Sequence, residues 1–249
     1  MEMQLLLEKT RVLHQLLQKS AGQMLDYNII ASEISRLLDA SVYIANKKGN
    51  LLGKGEFISI CGGLFPEEEL RKGQFSENSS QWFFGFTHTE VNVVPKGTNF
   101  YCILTPVMGG GERMGTIVYA REGKPFIPAE TILAEYGANV TGTQILRKVN
   151  QRMENEVRKK TVVQLALEVL SYSELEAVKY IFNEIEGSEG FLVASKLAEE
   201  YKLTRSVIVN ALRKLESAGV IETRSLGMKG THIKILNNKF KAELEKMGN

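Results

Sequence analysis

The chain has 249 residues, of which 43% are hydrophobic and 24% charged, and its formal net charge at pH 7 is +2. This length accommodates two domains with separate cores, and the composition is ordinary for a soluble protein. Because the sequence has neither an apolar run of 18 residues nor the segments of a signal peptide, we expect a cytoplasmic protein without a membrane span.

The N-terminal part of the chain predicts two helices followed by a hairpin. Leu5 to about Gln18 carries a wide apolar arc, which indicates contact with its own domain and with a second surface such as another subunit. Asn28 to Leu38 has one apolar face and predicts a second helix. Residues 41–45 and 51–53 have strand patterns on either side of a turn, which predicts a hairpin.

The region from Gly53 to Gly97 has less regular patterning. The segment Phe65-Pro66-Glu67-Glu68 predicts the start of a short helix, because proline is favoured near the first helical position. Residues 82–86 (Trp-Phe-Phe-Gly-Phe) form the most aromatic cluster of the chain. They are either ordinary core or the wall of an apolar ligand pocket.

Two strong strand patterns, 99–108 and 114–120, are joined by the glycine-rich segment Gly109–Arg113. A phosphate-binding loop does not fit this segment, because Glu112-Arg113 follows the glycines where Lys-Ser/Thr is required. The glycines instead predict a hairpin turn. Helices packed on antiparallel hairpins indicate an α+β layer fold of the GAF or PAS type, which commonly holds a small ligand.

The pattern is helical from Pro128 to about Leu170, a length of about 65 Å if the helix is unbroken. Gly137 and Gly142 are candidate kinks. Residues 148–160 are strongly polar, with a narrow apolar seam at every fourth position, which is typical of a helix that crosses solvent.

The domain organisation follows from this change in polarity. We predict a sensing and dimerisation domain at residues 1–155, a helical linker at 156–172 and a DNA-binding domain at 173–249. Ser173–Glu176 fits a capping box that opens the first helix of the last domain. Residues 187–190 predict a turn.

Residues 194–230 predict a helix-turn-helix. A short helix over 194–201 is followed by a tight corner, and Thr204 is a favourable N-cap for a second helix that ends near Ala218. Gly219 supplies the left-handed stop. The second helix has one apolar stripe, which consists of Ile208, Ala211, Leu212 and Leu215.

The opposite face of that helix carries small polar and cationic residues, and a glycine-hinged basic hairpin follows at 220–235. Helix, turn, helix and basic hairpin together predict a winged helix-turn-helix that binds double-stranded DNA. The predicted DNA-contacting residues are Ala194, Ser195, Thr204, Arg205, Ser206, Asn210, Arg213, Lys214, Arg224, Lys229 and Lys234.

The charge distribution separates this interpretation from that of a small α+β domain with a merely solvated cationic face. Residues 194–249 contain 11 Lys/Arg and 6 Asp/Glu, whereas residues 1–193 contain 20 and 23. The C-terminal part therefore carries a net charge of +5 and the remainder −3. Positive charge concentrated at one end favours phosphate contact.

Residues for catalysis or metal binding do not occur at the required spacing. The three histidines, His14, His88 and His232, lie in different segments without neighbouring ligands. We therefore expect neither an enzyme nor a metal site. Cys61 and Cys102 are too few for a disulfide framework; buried free thiols are expected, with a single bridge left open.

The segment Ala194–Gly230, together with Ser171–Ala177, Gly109–Arg113 and Leu133–Ala138, closely resembles the CodY family of global transcriptional repressors. The resemblance covers the whole chain. It implies an N-terminal GAF domain, a long helical linker and a C-terminal winged helix-turn-helix in a homodimer. It also implies that DNA binding is activated by branched-chain amino acids, isoleucine above all, and by GTP.

The resemblance also implies an effector site, whose contacts in this chain are Phe65, Pro66, Thr87 and Val91. In the family, an arginine and methionines that precede a Phe-Pro-Glu-Glu segment hold the carboxylate and side chain of the amino acid. The 11 residues between Gly53 and Phe65 contain no arginine and no methionine.

Lys54, Arg71 and Lys72 are candidate replacements for that arginine. The departure from the family pattern also leaves a second function open. In this alternative, the chain is a constitutive or nucleoid-type DNA-binding protein whose N-terminal domain only dimerises.

Overall fold

The structure is a computed structural model that describes residues 3–57, 64–185 and 187–247. The chain divides into one unit of residues 1–150 and a second unit of residues 151–249. One long helix contributes its first part to the first unit and its last part to the second.

In the first unit, alternating strand residues supply two apolar layers on opposite faces of a sheet. The helices are α1 (Met3–Gly22), α2 (Tyr27–Leu38), α3 (Glu67–Lys72), α4 (Glu77–Phe84) and the start of α5 (Pro128–Glu168). The strands are β1 (Ser41–Asn46), β2 (Leu51–Gly55), β3 (Glu90–Val93), β4 (Phe100–Gly109) and β5 (Glu112–Glu122), in the antiparallel order β2-β1-β5-β4-β3.

The two faces of this sheet have different coverings. Val42 and Ile44 of β1 lie in a core with residues of α1, α2 and α5, whereas Tyr43 and Ala45 lie in a second core with Phe65 and other aromatic residues. The period of two along the strand thus separates a helix-covered face from an aromatic face. We call the second one the aromatic face.

Glycines set the distance between helices and strands at two places. A Cβ added at Gly55 of β2 would lie 2.4 Å from the carbonyl oxygen of Ala31 in α2. A Cβ added at Gly142 of α5 would lie 2.2 Å from the carbonyl oxygen of Met108 in β4. Gly142, a candidate kink of the long helix, lies within the continuous helix α5, where it lets the helix backbone pack against the strand.

A buried ion pair fixes the start of α5. Both Nη atoms of Arg121 donate to the carboxylate of Glu130, at 2.9 and 2.6 Å. Arg121 Nη1 also donates to the carbonyl oxygen of Leu38 at the end of α2, and the backbone N–H of Ile127 donates to Glu130. The guanidinium lies 4.0 Å from the ring centroid of Phe126. One side chain pair therefore connects β5, α2 and the first turn of α5.

The second unit is built on an antiparallel sheet with the order β6-β8-β7. Its elements are the end of α5, α6 (Tyr172–Glu184), β6 (Glu189–Leu192), α7 (Ala194–Glu200), α8 (Arg205–Ser217), β7 (Ile221–Ser225), a short 3₁₀ turn (Gly227–Lys229), β8 (Thr231–Ile235) and α9 (Phe240–Lys246).

Two local predictions in this unit are wrong. The capping box of α6 is formed by Ser171 and Glu174, not by Ser173 and Glu176: the Ser171 N–H donates to Glu174 at 2.7 Å, and the Glu174 N–H donates to Ser171 Oγ at 3.3 Å. The turn predicted to run through residue 190 instead enters strand β6 at Glu189.

The last turns of α5 are bonded to the second unit. Asn237 donates to the carbonyl oxygen of Lys159 at 2.9 Å, and Gln164 donates to Glu243 of α9 at 2.7 Å. Val163 is fully buried in the same core as α6 and α8. Part of the predicted linker thus belongs to a packed core, while the predicted domain boundaries at 155 and 172 remain predictions.

Two kinds of feature are absent from residues 3–57, 64–185 and 187–247. No helix within these ranges combines the length and apolar character that a bilayer crossing requires. The same ranges contain no group of three His, Cys, Asp or Glu side chains arranged to hold a metal ion.

Gly142→Ala is expected to destabilise the first unit by about 2 kcal/mol. Alanine is favoured over glycine in a helix by about 1 kcal/mol, but overpacking against the Met108 carbonyl costs more. Denaturant unfolding followed by the fluorescence of Trp82, the only tryptophan of the chain, measures this change. Asn139→Ala, at an exposed position of α5, is the control, and a more stable Gly142→Ala variant would contradict the close contact.

Glu130→Gln is expected to lower stability at pH 7 by about 3 kcal/mol, because it leaves Arg121 buried without its counter-charge. Burial acts to raise the pKa of Glu130, but the hydrogen bonds from Arg121 and Ile127 and the nearby positive charges outweigh it, so the pKa is lowered. The contribution of Glu130 is therefore present above its unfolded-state pKa of about 4.3 and is lost as the pH falls through the folded-state value.

The measurement is the pH dependence of unfolding from pH 7 to pH 3, followed by Trp82 fluorescence. The difference in stability between wild type and Glu130→Gln should shrink toward the acid end. Glu135→Gln, an exposed carboxylate on the same helix, should follow the wild-type curve. If the difference in stability between wild type and Glu130→Gln stayed constant from pH 7 to pH 3, the ion pair would not titrate as described.

Candidate nucleic-acid interface and effector face

Helix α8 has the two faces that a recognition helix needs. Its predicted apolar stripe is confirmed, since Ile208, Ala211, Leu212 and Leu215 are the buried residues of the helix. Thr204 is the N-cap residue, but its side chain makes no capping hydrogen bond; its Oγ1 lies 3.0 Å from Ser206 Oγ. Both hydroxyl groups are thus at the exposed N-terminus of α8.

The polar face of α8 is open to solvent. Arg205, Ser206, Asn210 and Arg213 are all exposed. Within the described part of the chain, neither Arg205 nor Arg213 pairs with a carboxylate. Their guanidinium groups can therefore be directed to phosphate oxygens or base edges without breaking an ion pair.

Lys214 differs from the other predicted DNA contacts. Its Nζ donates to Glu174 at 2.7 Å and to the carbonyl oxygen of Val169 at 3.2 Å. The hydrogen bond from Lys214 opposes the burial of Glu174 and, with the bonds from Ser171, lowers the pKa of that carboxyl. In this conformation Lys214 holds α8 against the N-terminus of α6.

The wing is the hairpin of β7 and β8. Arg224, Lys229 and Lys234 are exposed. Lys234, however, is paired across the strands with Glu222 on one side and Glu189 on the other. Its acidic neighbours reduce the local positive potential, so Arg224 and Lys229 present the stronger cationic positions of the wing.

The remaining predicted contacts lie at the start of α7. Ala194 is partly buried against the core, and Ser195 is exposed. The loop between α7 and α8 contains Lys202, whose φ of +53° places this non-glycine residue in the left-handed region. The tight corner predicted there is confirmed.

Val209 of α8, which is 37% exposed, is not among the contacts predicted from the sequence. It lies four residues after Arg205 and four before Arg213, on the same helical surface. An exposed aliphatic side chain among base-reading groups is suited to contact a thymine methyl. The sequence signal for Val209 was the presence of an apolar residue on the otherwise polar face of α8.

On the aromatic face, Phe65 lies at the centre of a ring cluster. Its ring centroid is 4.7 Å from that of Phe75, 5.2 Å from that of Tyr43, and 6.1 Å from those of Trp82 and Phe83. Phe65 is buried and Phe83 fully so. Phe65 and Phe83 are therefore core residues of the aromatic face, and Trp82 packs against them.

The other predicted effector contacts are at the surface. Pro66 is exposed and immediately precedes α3. Thr87 is exposed, with Oγ1 3.3 Å from His88 Nδ1. Val91 of β3 is exposed and pairs with Ile103. The predicted set therefore comprises one buried ring and three exposed residues.

Two of the three candidate cations for an effector carboxylate are already paired. Lys54 Nζ lies 2.8 Å from Glu56, and Lys72 Nζ lies 2.6 Å from Glu68. Arg71 is exposed on α3.

A different arginine, Arg113, holds the end of α4. Its Nη1 donates to the carbonyl oxygens of Phe84 and Phe86, at 3.0 and 2.6 Å, and its Nη2 donates to that of Phe83 at 3.2 Å. Nη2 also donates to Thr116 Oγ1 at 2.8 Å, and Nε donates to the carbonyl oxygen of Gly115 at 3.2 Å. Burial lowers the pKa of Arg113. From the sequence, Gly109–Arg113 is predicted to form a hairpin turn, and no role is predicted for the Arg113 side chain.

The thiol and imidazole groups do not form a reactive site in the described ranges. Cys102 is free and buried, and burial raises the pKa of its thiol to about 12. Cys61 lies outside the described residues. His14 contacts the Tyr136 hydroxyl at 3.2 Å, whereas His88 and His232 lie near Glu90 and Glu189 respectively.

Two family models match the chain. One, described as the CodY GAF-like domain, matches residues 5–169, and the other, described as the CodY helix-turn-helix domain, matches residues 188–247. The predicted fold, an N-terminal GAF-like domain followed by a long helix and a C-terminal helix-turn-helix, is thereby confirmed.

Curated relatives match over almost their full length. The global transcriptional regulator CodY of Thermoanaerobacter sp. (strain X514) is 46% identical over 98% of this chain and 99% of its own. The protein of the same name from Lysinibacillus sphaericus (strain C3-41) is 48% identical over 94% and 95%. A solved cofactor binding GAF domain of the nutrient sensor CodY from Clostridium difficile is 28% identical, with a TM-score of 0.44, over 56% of this chain and 97% of that one.

Proposed function

Because the chain belongs to the CodY family of global transcriptional regulators, we propose that it represses transcription by binding operator DNA as a homodimer. We propose further that branched-chain amino acids, isoleucine above all, and GTP raise its affinity for the operator. The family consists of transcriptional regulators rather than enzymes.

The observation that carries the DNA-binding proposal is the exposed polar face of α8 opposite its buried stripe. In the proposed complex, Arg205, Ser206 and Asn210 enter the major groove and read base edges, with Val209 beside them. Arg213 and the wing residues Arg224 and Lys229 contact phosphates. The net charge of +5 over residues 194–249 supports this arrangement.

Dimerisation is proposed from the surface of α1. This helix buries Leu13 and Leu16 in its own unit, yet Met3, Leu5, Leu7 and Val12 remain exposed. Exposed apolar side chains grouped on one helix favour association with a second copy of the same helix.

Effector sensing is proposed for the aromatic face. Phe65 is buried in this face and Thr87 lies in the turn after α4, whereas Val91 pairs with Ile103 of the helix-covered core. The apolar side chain of isoleucine suits an aromatic lining. Binding there would shift the population toward a state with higher operator affinity. No residue is assigned to GTP.

A second candidate function is constitutive DNA binding, with an N-terminal unit that only dimerises. Its support is the packing of Phe65 within four aromatic rings, together with the ion pairs that occupy Lys54 and Lys72. An amino-acid carboxylate without a cationic partner would bind more weakly by about 1.5–3 kcal/mol.

Substitutions in α8 and in the wing should affect DNA binding differently. Arg205→Ala and Asn210→Ala are expected to relax sequence choice, each at a cost of about 1–3 kcal/mol for specific DNA, because they remove base-edge contacts. Lys229→Ala should weaken binding to all sequences alike and reduce the salt slope by about one. Affinities are compared for DNA selected from a random pool by the wild-type protein and for random DNA.

Lys48→Ala, at an exposed lysine of the first unit, is the matched control and should leave both affinities unchanged. If all three test variants weakened specific and random DNA equally, the division between base-reading and phosphate-contacting residues would be incorrect.

Isoleucine and GTP are expected to tighten operator binding at least fivefold, within the usual range of allosteric coupling. The selected DNA is titrated with wild-type protein in the presence of either ligand, with D-isoleucine and ATP as matched controls. Changes of less than about twofold with both ligands would refute sensing and support the constitutive function, while leaving the DNA-binding proposal intact.

A further inference from the structure

The guanidinium group of Arg113 uses all of its hydrogen-bond donors. An arginine has five N–H donors, one on Nε and two on each Nη, and all five have an acceptor here. Arg113 is therefore not available to hold a ligand carboxylate. Its role is to fix the backbone that it binds.

That backbone is the turn that follows α4. The last carbonyl groups of a helix have no partner within the helix, and they carry partial negative charge. Arg113 binds the carbonyls of Phe83 and Phe84 in this last turn and that of Phe86 just beyond it. Its guanidinium also lies 5.1 Å from the Phe84 ring centroid. The position of Thr87, the next residue, depends on this turn.

The other side of the same hairpin contacts α5. A Cβ added at Gly109 would lie 3.3 Å from the carbonyl oxygen of Gly142 and 3.5 Å from Leu146 Cβ. A Cβ added at Gly110 would lie 3.5 Å from Leu146 Cδ1. Met114 of the same hairpin is also close, with its Cγ 3.1 Å from a Cβ added at Gly109, so the hairpin packs closely against the side of α5 at its two glycines.

We propose that Arg113 is a positioning residue that couples the turn after α4 to helix α5 through the Gly109–Arg113 hairpin. The inference deepens the proposed function, on which its regulatory meaning rests, since this turn borders the proposed effector face and α5 continues into the second unit. A displacement of residues 83–87 is transmitted to the hairpin by three hydrogen bonds from Arg113 and from the hairpin to α5 by close packing. A continuous chain of contacts thus joins the turn after α4 to α5, as coupling between separate sites requires.

The first test is hydrogen–deuterium exchange on the full chain, without any effector. Arg113→Lys keeps the positive charge but cannot reproduce the planar fork. The amides of residues 83–86 and those of α5 near residues 142–146 are expected to exchange about tenfold faster, since hydrogen bonds to a charged group are lost. Arg36→Lys, at an exposed arginine on α2, is the matched control and should change neither segment.

Faster exchange confined to residues 83–86 would overturn the link to α5, and unchanged exchange in both segments would overturn the positioning role. Should Arg113→Lys fail to fold, Thr116→Val provides the milder variant. It removes one acceptor of Nη2 and leaves the arginine in place. The same two segments are expected to respond, to a smaller extent.

The second test measures operator binding with and without isoleucine. Arg113→Lys should keep the effector-free affinity of the wild type but lose most of the gain that isoleucine produces, a result that general destabilisation would not give. A full gain in Arg113→Lys would overturn the proposal. If the wild type itself does not respond, the sensing part of the proposed function fails, and the exchange experiment alone decides the coupling.

Discussion

The pair formed by Arg121 and Glu130 is the constraint on which the first unit depends. Two charges with less than a tenth of their side chains exposed are held together by a bidentate contact, and the remaining donors of Arg121 bind backbone carbonyls. Such a pair is costly to bury, so its value lies in specificity. It fixes the residue at which α5 begins and thereby which of its residues face the sheet.

Sequence patterns predicted the elements that are determined by residues close to one another in the chain. The stripe of α8 was correct to the residue because a helix at the surface of a small core must bury one face. By contrast, Ser171 with Glu174 and Ser173 with Glu176 both fit a capping box. In the structure Glu174 is also bound by Lys214, which lies 40 residues away in the sequence, and no local pattern contains this contact. Strand β6 was missed because its four residues, which include Gly190, acquire strand structure by pairing with β8.

The same distinction applies to the candidate sites. The exposed positions of α8 follow from helical periodicity, so the sequence was sufficient to find them. The surroundings of Lys214 and Lys234 depend on α6 and on strand register, which no local pattern contains. Arg113 was overlooked for a related reason: three of its five acceptors are carbonyl groups some 30 residues earlier, and backbone acceptors leave no trace in a sequence.

The contact between Gly142 and the Met108 carbonyl limits how α5 can move. The residues one turn away on the same side of the helix are Ala138 and Leu146, so sliding α5 along its axis by one turn would place a side chain against the carbonyl oxygen. Translation of α5 along its own axis is therefore blocked where the helix crosses β4. Tilting about Gly142 preserves the close contact, so this crossing can act as a pivot for the part of α5 that lies on the sheet.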